Sequence, residues 1–479
     1  MMYKILKSIS LSFCVSLLIS FTVVSQSNKE LGNAYLDSLR LAKNTPGMSA
    51  AIAVNGKMIW EYGSGYSNLD KKKKASPNTL YRIASVSKLI TTAAMAKMVQ
   101  DKKLKFSDDV NKFFKVSDQK MSIAQVLSHT SGIRHYRYNE RTDRFPHYDN
   151  VIKALEVFIN DSLLFTPGEK HQYSSYGIDL IGAIVEKQSK QSFEKYVQKN
   201  VLKPLKMKNT FLREPKNTKN LSKFYDGNQT LIPKVDLSYN IPGGGMYSTV
   251  QDLTKLGNAF LSDDFVSKQV KEKLFTKAKL NNGKEIDYGL GWIVQKLDDG
   301  SEAYYHDGHM DGTHSTLVIY PKYKASISMI ANRGSNWGIT EALELLCKVY
   351  KIEKCPKIVV KKNRDRQYIM KIFQNLSTSF QDFQNALGNS DRSKLEELIA
   401  NTFQSKVWSD KKTFIDFLMK VESKYEVFDM DLSVKGLEDG DEANVKTIRF
   451  LDKQSNKSWS LKYQLNKTQW SLISIDVFE

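Results

Sequence analysis

The chain has 479 residues, 41% of them apolar, with 25 glycines and 10 prolines, which excludes a fibrous or low-complexity protein and leaves room for two globular domains. Its formal charge of +19 comes from scattered lysines, which suit an anionic partner such as a cell envelope. No recognition-helix or RNP-like motif accompanies that charge, so no nucleic-acid partner is expected.

The N-terminus reads as an export signal. Lys4 and Lys7 precede an apolar run from Ile9 to Val24, and the small residue Ser25 and a polar stretch follow. This layout predicts a signal peptide over residues 1–25. The run is short and broken by serines, unlike a membrane anchor. Phe13 before Cys14 does not suit a lipoprotein signal. Cleavage would leave a charge of +17 and two cysteines, Cys347 and Cys355. These could pair in an oxidising compartment, although spacing alone does not decide it. No later stretch is long and apolar enough to span a bilayer, so the mature chain is expected to be exported, periplasmic or secreted, without a membrane partner.

Met48 to Val54 and Lys57 to Tyr62 are β-prone runs joined by Asn55-Gly56, a two-residue hairpin turn. An apolar helix is expected from Ser85 to Asp101. A helical middle follows, clearest in SIAQVLSHTSGI and in one long run from Ile178 that Pro204 closes. Strands return in GLGWIVQKL and SEAYYH around Asp299-Gly300, then in HSTLVIYP and ASISMIANR, before a helix from Thr340 to Tyr350. Strands at both ends of this region predict one antiparallel sheet flanked by helices, with a helical lobe beside it: an α/β domain over residues 26–355. A basic linker is read at 356–366. Residues 367–479 read as a small α+β domain. Its helical stretches are Ile369 to Leu387, Ser393 to Phe403 and Lys411 to Lys424, and four strands follow between Tyr425 and Val477.

Three segments could carry chemistry. In YRIASVSK, Ser85 and Lys88 lie three apart at the start of an apolar helix, a spacing that puts both on one face. Burial would lower the lysine pKa until the amine could take the serine proton. On spacing alone a capping serine and a surface lysine remain the commoner explanation. In FTPGEKHQYSSYG, Tyr173 sits in a loop after the Pro167-Gly168 turn, where a nearby lysine could lower its pKa, or where it could simply pack under the loop; Ser175 could be a helix N-cap. In YYHDGHMDGTH, His306, His309, His314, Asp307 and Asp311 are metal-ligand types. His306 and His309, however, are an odd number apart and would point to opposite faces of a strand.

Together these segments resemble one family, the serine β-lactamase and penicillin-binding-protein superfamily in its class C-like, esterase-like branch. YRIASVSK looks like the first motif. VLSHTSGI and FTPGEKHQYSSYGIDLIGAIVE look like the surroundings of the second, IPGGGMYSTVQDLTKLGNAFL like its glycine-rich segment, and HDG at 306–308 like the third. The resemblance implies acyl transfer without metal or organic cofactor. Ser85 would form an acyl-enzyme, Lys88 and Tyr173 would move the proton, and His306 would orient the tyrosine or meet the substrate. The backbone N–H groups of Ser85 and His309 would form the oxyanion hole, and Ser175 and Gly308 would line the substrate.

Two departures bear on the substrate. Ser175 stands where asparagine is common, and His306 where lysine is common. An ester, or a peptide or amide of D-amino-acid type, is therefore expected ahead of a β-lactam. The rival readings are a non-catalytic protein binding peptides or peptidoglycan on the same scaffold, and a metal hydrolase. The C-terminal domain more loosely resembles the NTF2-like cone fold, often an accessory or dimerising module.

Overall fold

The computed structural model describes residues 28–359 apart from 138–139, 141–144 and 217. Beyond 359 it describes five strands and positions 393, 396 and 412. The signal segment, with Cys14, lies outside the described residues. The chain divides into two compact units, at Val359 and Val360.

The first unit opens with helix α1 (residues 28–42), which the sequence reading did not anticipate. Strands β1 (Gly47–Val54) and β2 (Lys57–Asn68) form the expected hairpin. Its turn has φ of 50° at Asn55 and 75° at Gly56, the left-handed pair that a two-residue hairpin needs. After the short strands β3 (Lys73–Lys74) and β4 (Tyr81–Arg82) comes α2 (Ser87–Gln100). The helical lobe contains α3 (Ile123–Leu127), α4 (Ser175–Ser189), α5 (Phe193–Val197) and α6 (Ile241–Gly244). Then follow β5 (Tyr247–Ser248), α7 (Val250–Leu261) and α8 (Lys268–Phe275). The unit closes with β6 (Ile293–Lys296), β7 (Glu302–Met310), β8 (Thr313–Tyr320), β9 (Ala325–Ala331) and α9 (Ile339–Tyr350).

The main sheet runs in the order β3-β2-β1-β9-β8-β7-β6, all antiparallel, so the first hairpin joins the returning strands through β1 and β9. Alternation divides its residues between two cores. Ala51, Leu317, Ile319 and Ile330 join α2, α4 and α7 in one. Ala50, Ile52, Val318, Tyr320, Ile327 and Met329 join α1 and α9 in the other. Both faces are covered, so every residue of β8 and β9 is buried, including Ser326 and Ser328, which alternate with Ile327 and Met329 and donate to Thr254 O and Val250 O of α7. Cys347 and Cys355 form a disulfide, with Cα atoms 5.7 Å apart, joining the end of α9 to the segment after it.

Two expectations in the helical lobe need correction. The long helix is broken: Lys190, in the left-handed region, ends α4, and Ser192 caps a new start at α5. The helix also begins before Ile178, and its capping side chain is Ser174, which accepts from Gly177 N at 3.0 Å, rather than Ser175. Within the segment read as linker, residues 357–359 bond to 296–298: Lys357 O accepts from Asp298 N and Val359 N donates to Lys296 O.

The second unit contains β10 (Ile399–Ser405), β11 (Glu426–Asp429), β12 (Val445–Asp452), β13 (Lys457–Asn466) and β14 (Gln469–Phe478), in the order β10-β14-β13-β12-β11. The strand β10 corrects the reading of Ser393 to Phe403 as wholly helical. IANTFQS holds the β-favouring Ile399, Thr402 and Phe403, and the segment pairs in parallel with β14. The helical stretches 369–387 and 411–424 lie outside the described residues, apart from position 412.

Candidate active site

The site is built where β4, the start of α2, the start of α4, α6 and β7 converge. Between β4 and α2 the chain makes a single 3-10 turn, Ala84–Val86, so Ser85 lies just ahead of the α-helix rather than within it. Ala84 has φ of 43°, a left-handed conformation that costs a residue with a Cβ about 1–3 kcal/mol. Tertiary bonds hold the turn. Thr313 Oγ1 donates to Arg82 O at 2.8 Å, and Ser315 Oγ donates to Ile83 O at 2.7 Å.

Lys88 follows on α2, a helix buried on nearly every face between the sheet and the helical lobe. Its amine is fully buried and meets three oxygens: Ser85 Oγ at 3.0 Å, Ser175 Oγ at 2.8 Å and Gly243 O at 2.5 Å. Burial brings its pKa down to about 7, against the opposing pull of Asp179. A neutral amine has two hydrogens and one lone pair. With the hydrogens on Ser175 and Gly243, the lone pair is left for the Ser85 hydroxyl.

Tyr173 completes the group. Its ring centre lies 4.8 Å from the Lys88 amine, and its phenol interacts with Ser85 and Ser175. The expected lowering of its pKa does not occur. Enclosure dominates and holds the phenol above its ordinary value, so the resting tyrosine is protonated.

His306, on β7, is buried, and its pKa is brought down to about 3, first by burial and then by Lys88. Its Nδ1–H donates to Asp307 O at 2.6 Å, which leaves Nε2 as an acceptor with no partner among the described residues. His309, three residues on, is exposed on the opposite face, with Nδ1 3.2 Å from His314 Nδ1. Asp307-Gly308 is strand, and the turn is Asp311-Gly312. Among the described residues, no group of three His, Cys, Asp or Glu side chains is gathered that could hold a metal ion.

Gly308 explains how β7 comes so near the serine. A Cβ there would lie 2.4 Å from Ile83 O, 2.4 Å from Ser315 Oγ and 3.0 Å from Ser85 N. With hydrogen as its side chain, the strand backbone lies directly against the serine turn. Ser175, offered by the sequence as a substrate contact, has its hydroxyl on Lys88.

These groups open into a cleft of about 620 Å³. Ser85, Tyr173, Ser175 and His306 line it, while Ile232, Pro233, Val235, Leu237, Tyr239 and Met310 supply an apolar wall. Sequence reasoning missed that wall, and it missed Asp179. The signal for Asp179 was one carboxylate within the apolar run GIDLIGAIV.

The comparisons agree with this architecture. The Beta-lactamase family model matches residues 33–343. Protein flp of Staphylococcus aureus (strain N315) is 30% identical over 307 residues, which cover 61% of this chain and 60% of that one. The match thus spans about three-fifths of that relative's length. Penicillin-binding protein 4* of Bacillus subtilis (strain 168) is 25% identical over 315 residues, covering 61% of this chain and 69% of the relative. Two solved structures share the fold. The octameric penicillin-binding protein homologue from Pyrococcus abyssi has a TM-score of 0.59 at 21% identity, over 97% of this chain and 98% of that one. D-amino acid amidase from Ochrobactrum anthropi SV3 has a TM-score of 0.58 at 18% identity, over 68% of this chain and 97% of that one. The chain belongs to the Beta-lactamase family, within the superfamily of serine β-lactamases and penicillin-binding proteins.

Proposed function

We infer that the protein is an exported serine hydrolase that forms an acyl-enzyme on Ser85. One observation carries this reading: a buried amine with a pKa of about 7 lies 3.0 Å from the Ser85 hydroxyl. Lys88 takes the serine proton as Oγ attacks a carbonyl carbon. The N–H groups of Ser85 and His309 receive the developing oxyanion, a role that the close approach at Gly308 supports. Tyr173, held protonated, passes its proton to the leaving group and regains one from Lys88. Water then releases the acyl group. The N-terminal signal pattern and the Cys347–Cys355 disulfide support export to an oxidising compartment.

For the substrate we favour an ester or amide whose acyl group is apolar and carries no carboxylate. The cleft wall is apolar, and His306 is neutral and offers an acceptor at the third motif. Asp311 lines the same cleft and would repel an anion. Arg82 also lines it, with its guanidinium over the Phe224 ring at 4.3 Å.

A fluorophosphonate probe tests the reaction class. Labelling of the wild type and none of Ser85→Ala is expected. A folded, unlabelled wild type would point instead to a binding protein. Turnover of p-nitrophenyl esters, D-amino-acid amides and nitrocefin would then rank the substrates, with apolar esters or amides expected first.

The lysine also sets a pH dependence. Its neutral form is the base, so kcat/KM should fall below pH about 7, roughly tenfold per unit, as the amine takes up a proton. A profile flat from pH 5 to 8 would remove Lys88 from that role.

A further inference from the structure

Asp179 lies on α4 one turn after Ser175 and is 1% exposed. Its Oδ1 accepts from Gly243 N at 2.9 Å, and its Oδ2 has no partner among the described residues. Gly243 O in turn accepts from the Lys88 amine at 2.5 Å, and Ser175 Oγ accepts from it at 2.8 Å. Both oxygens that fix the amine are therefore anchored to one face of α4, Ser175 directly and Gly243 through Asp179. A hydrogen bond alone does not explain why an ionisable group stands there, since an asparagine oxygen would serve Gly243 N equally well.

We propose that Asp179 is the positioning residue for Lys88: it fixes Gly243 so that the carbonyl there receives the amine, and its negative charge favours the ammonium formed when the Ser85 proton arrives. The inference rests on reading Lys88 as the base. Burial holds the Asp179 carboxyl well above the usual carboxylate range, with Lys88 and the Gly243 N–H pulling it back down, and Asp179 in turn pulls the lysine up against the burial that lowers it. The pair is thus coupled in both directions.

The other titratable groups around the pair include Tyr173 from the loop before α4, Tyr176 on α4, Tyr136, His129 from the turn after α3, His135, whose Nδ1 accepts from Ser175 N at 3.1 Å, and His306 and Asp307 on β7. Burial holds His129 and His306 neutral and the tyrosines protonated, but it raises Asp307 to about 7, so a shift near neutrality is assigned to Lys88 and Asp179 only where Asp179→Asn produces it in an Asp307→Asn background as well.

The test uses the full chain and a p-nitrophenyl ester, with Lys88→Met as the control. Asp179→Asn keeps an oxygen for Gly243 N and removes the charge; Asp179→Ala removes both. For Asp179→Asn we expect kcat to fall about tenfold at unchanged KM and the acid limb of kcat/KM to move at least about half a unit toward lower pH. For Asp179→Ala the loss should reach about a hundredfold. An acid limb in Asp179→Asn that overlays the wild type overturns the charge role, and wild-type kcat in Asp179→Ala overturns the positioning role. An unimpaired Lys88→Met would instead overturn the reading beneath both. Should the Asp179 variants fail to fold, carboxyl 13C NMR of the wild type decides. The resonance assigned to Asp179 through its contact with the Gly243 N–H must be that of a carboxylate at the midpoint of the acid limb, and a carboxylic acid there means that the proposal is wrong.

Discussion

Replacing Lys88 with methionine should slow acylation of Ser85 by about 10²–10⁴-fold, the usual contribution of a positioned general base. The geometry makes the effect direct. No other amine is recorded against the Ser85 hydroxyl among the described residues, and Tyr173, held protonated, cannot take its place. Folding should survive, because methionine fills most of the lysine volume within an apolar helix. Stability should also lose a pH dependence. The folded lysine titrates near 7 and the unfolded one near 10.5, so between these values the unfolded chain binds more protons. Wild-type stability therefore gains a rising component from pH 7 toward 10, and the variant lacks it. Single-turnover labelling with a fluorophosphonate and thermal unfolding at pH 7 and 9.5 measure both effects. Acylation at the wild-type rate in the methionine variant would dismiss the lysine as base.

The second large effect is expected from Gly308→Ala. The new methyl would lie 2.4 Å from Ile83 O and 3.0 Å from Ser85 N, in both cases against backbone that cannot rotate away. Either β7 or the serine turn must shift. A displacement of about 1 Å at a reacting group commonly costs about 10²-fold in rate. We expect a loss of that order in kcat, together with a lower melting temperature, since the turn already holds Ala84 in a left-handed conformation. Gly300→Ala is the control: it sits in an open turn where a Cβ meets nothing within 4 Å, although its φ of 81° should itself cost some stability. Full activity in Gly308→Ala would mean that the strand and the serine turn are less closely coupled than their contact implies.

Much of this site was readable because short-range pattern and chemistry coincide there. A serine and a lysine three apart share one helix face, the amine can serve as a base only if burial lowers its pKa, and the apolar run after Ser85 announced that burial. Asn55-Gly56 dictated its turn for the same local reason. The misreadings have tertiary causes. Whether Tyr173 is raised or lowered depends on how completely the loop is enclosed, which no spacing reveals. Ser174 and Ser175 are equally good caps on paper, and the site decides between them by giving Ser175 to Lys88. Asp179 was missed, because its partner Gly243 is distant in sequence. Ile399–Ser405 was misread because its partner strand lies at the far end of the chain.

The pairing of β1 with β9 sets Met48 opposite Ala331, so the middle of the sheet is made from the first and the last of the strands described in the unit. Synthesis delivers those strands far apart in time. Until β9 emerges, β1 has its hairpin mate on one edge and an open edge on the other, and β7 cannot be carried by the sheet against the serine turn. The nascent protein is thus an incomplete scaffold for most of its synthesis, and the close approach of β7 to Ser85 can form only after nearly the whole unit has been made.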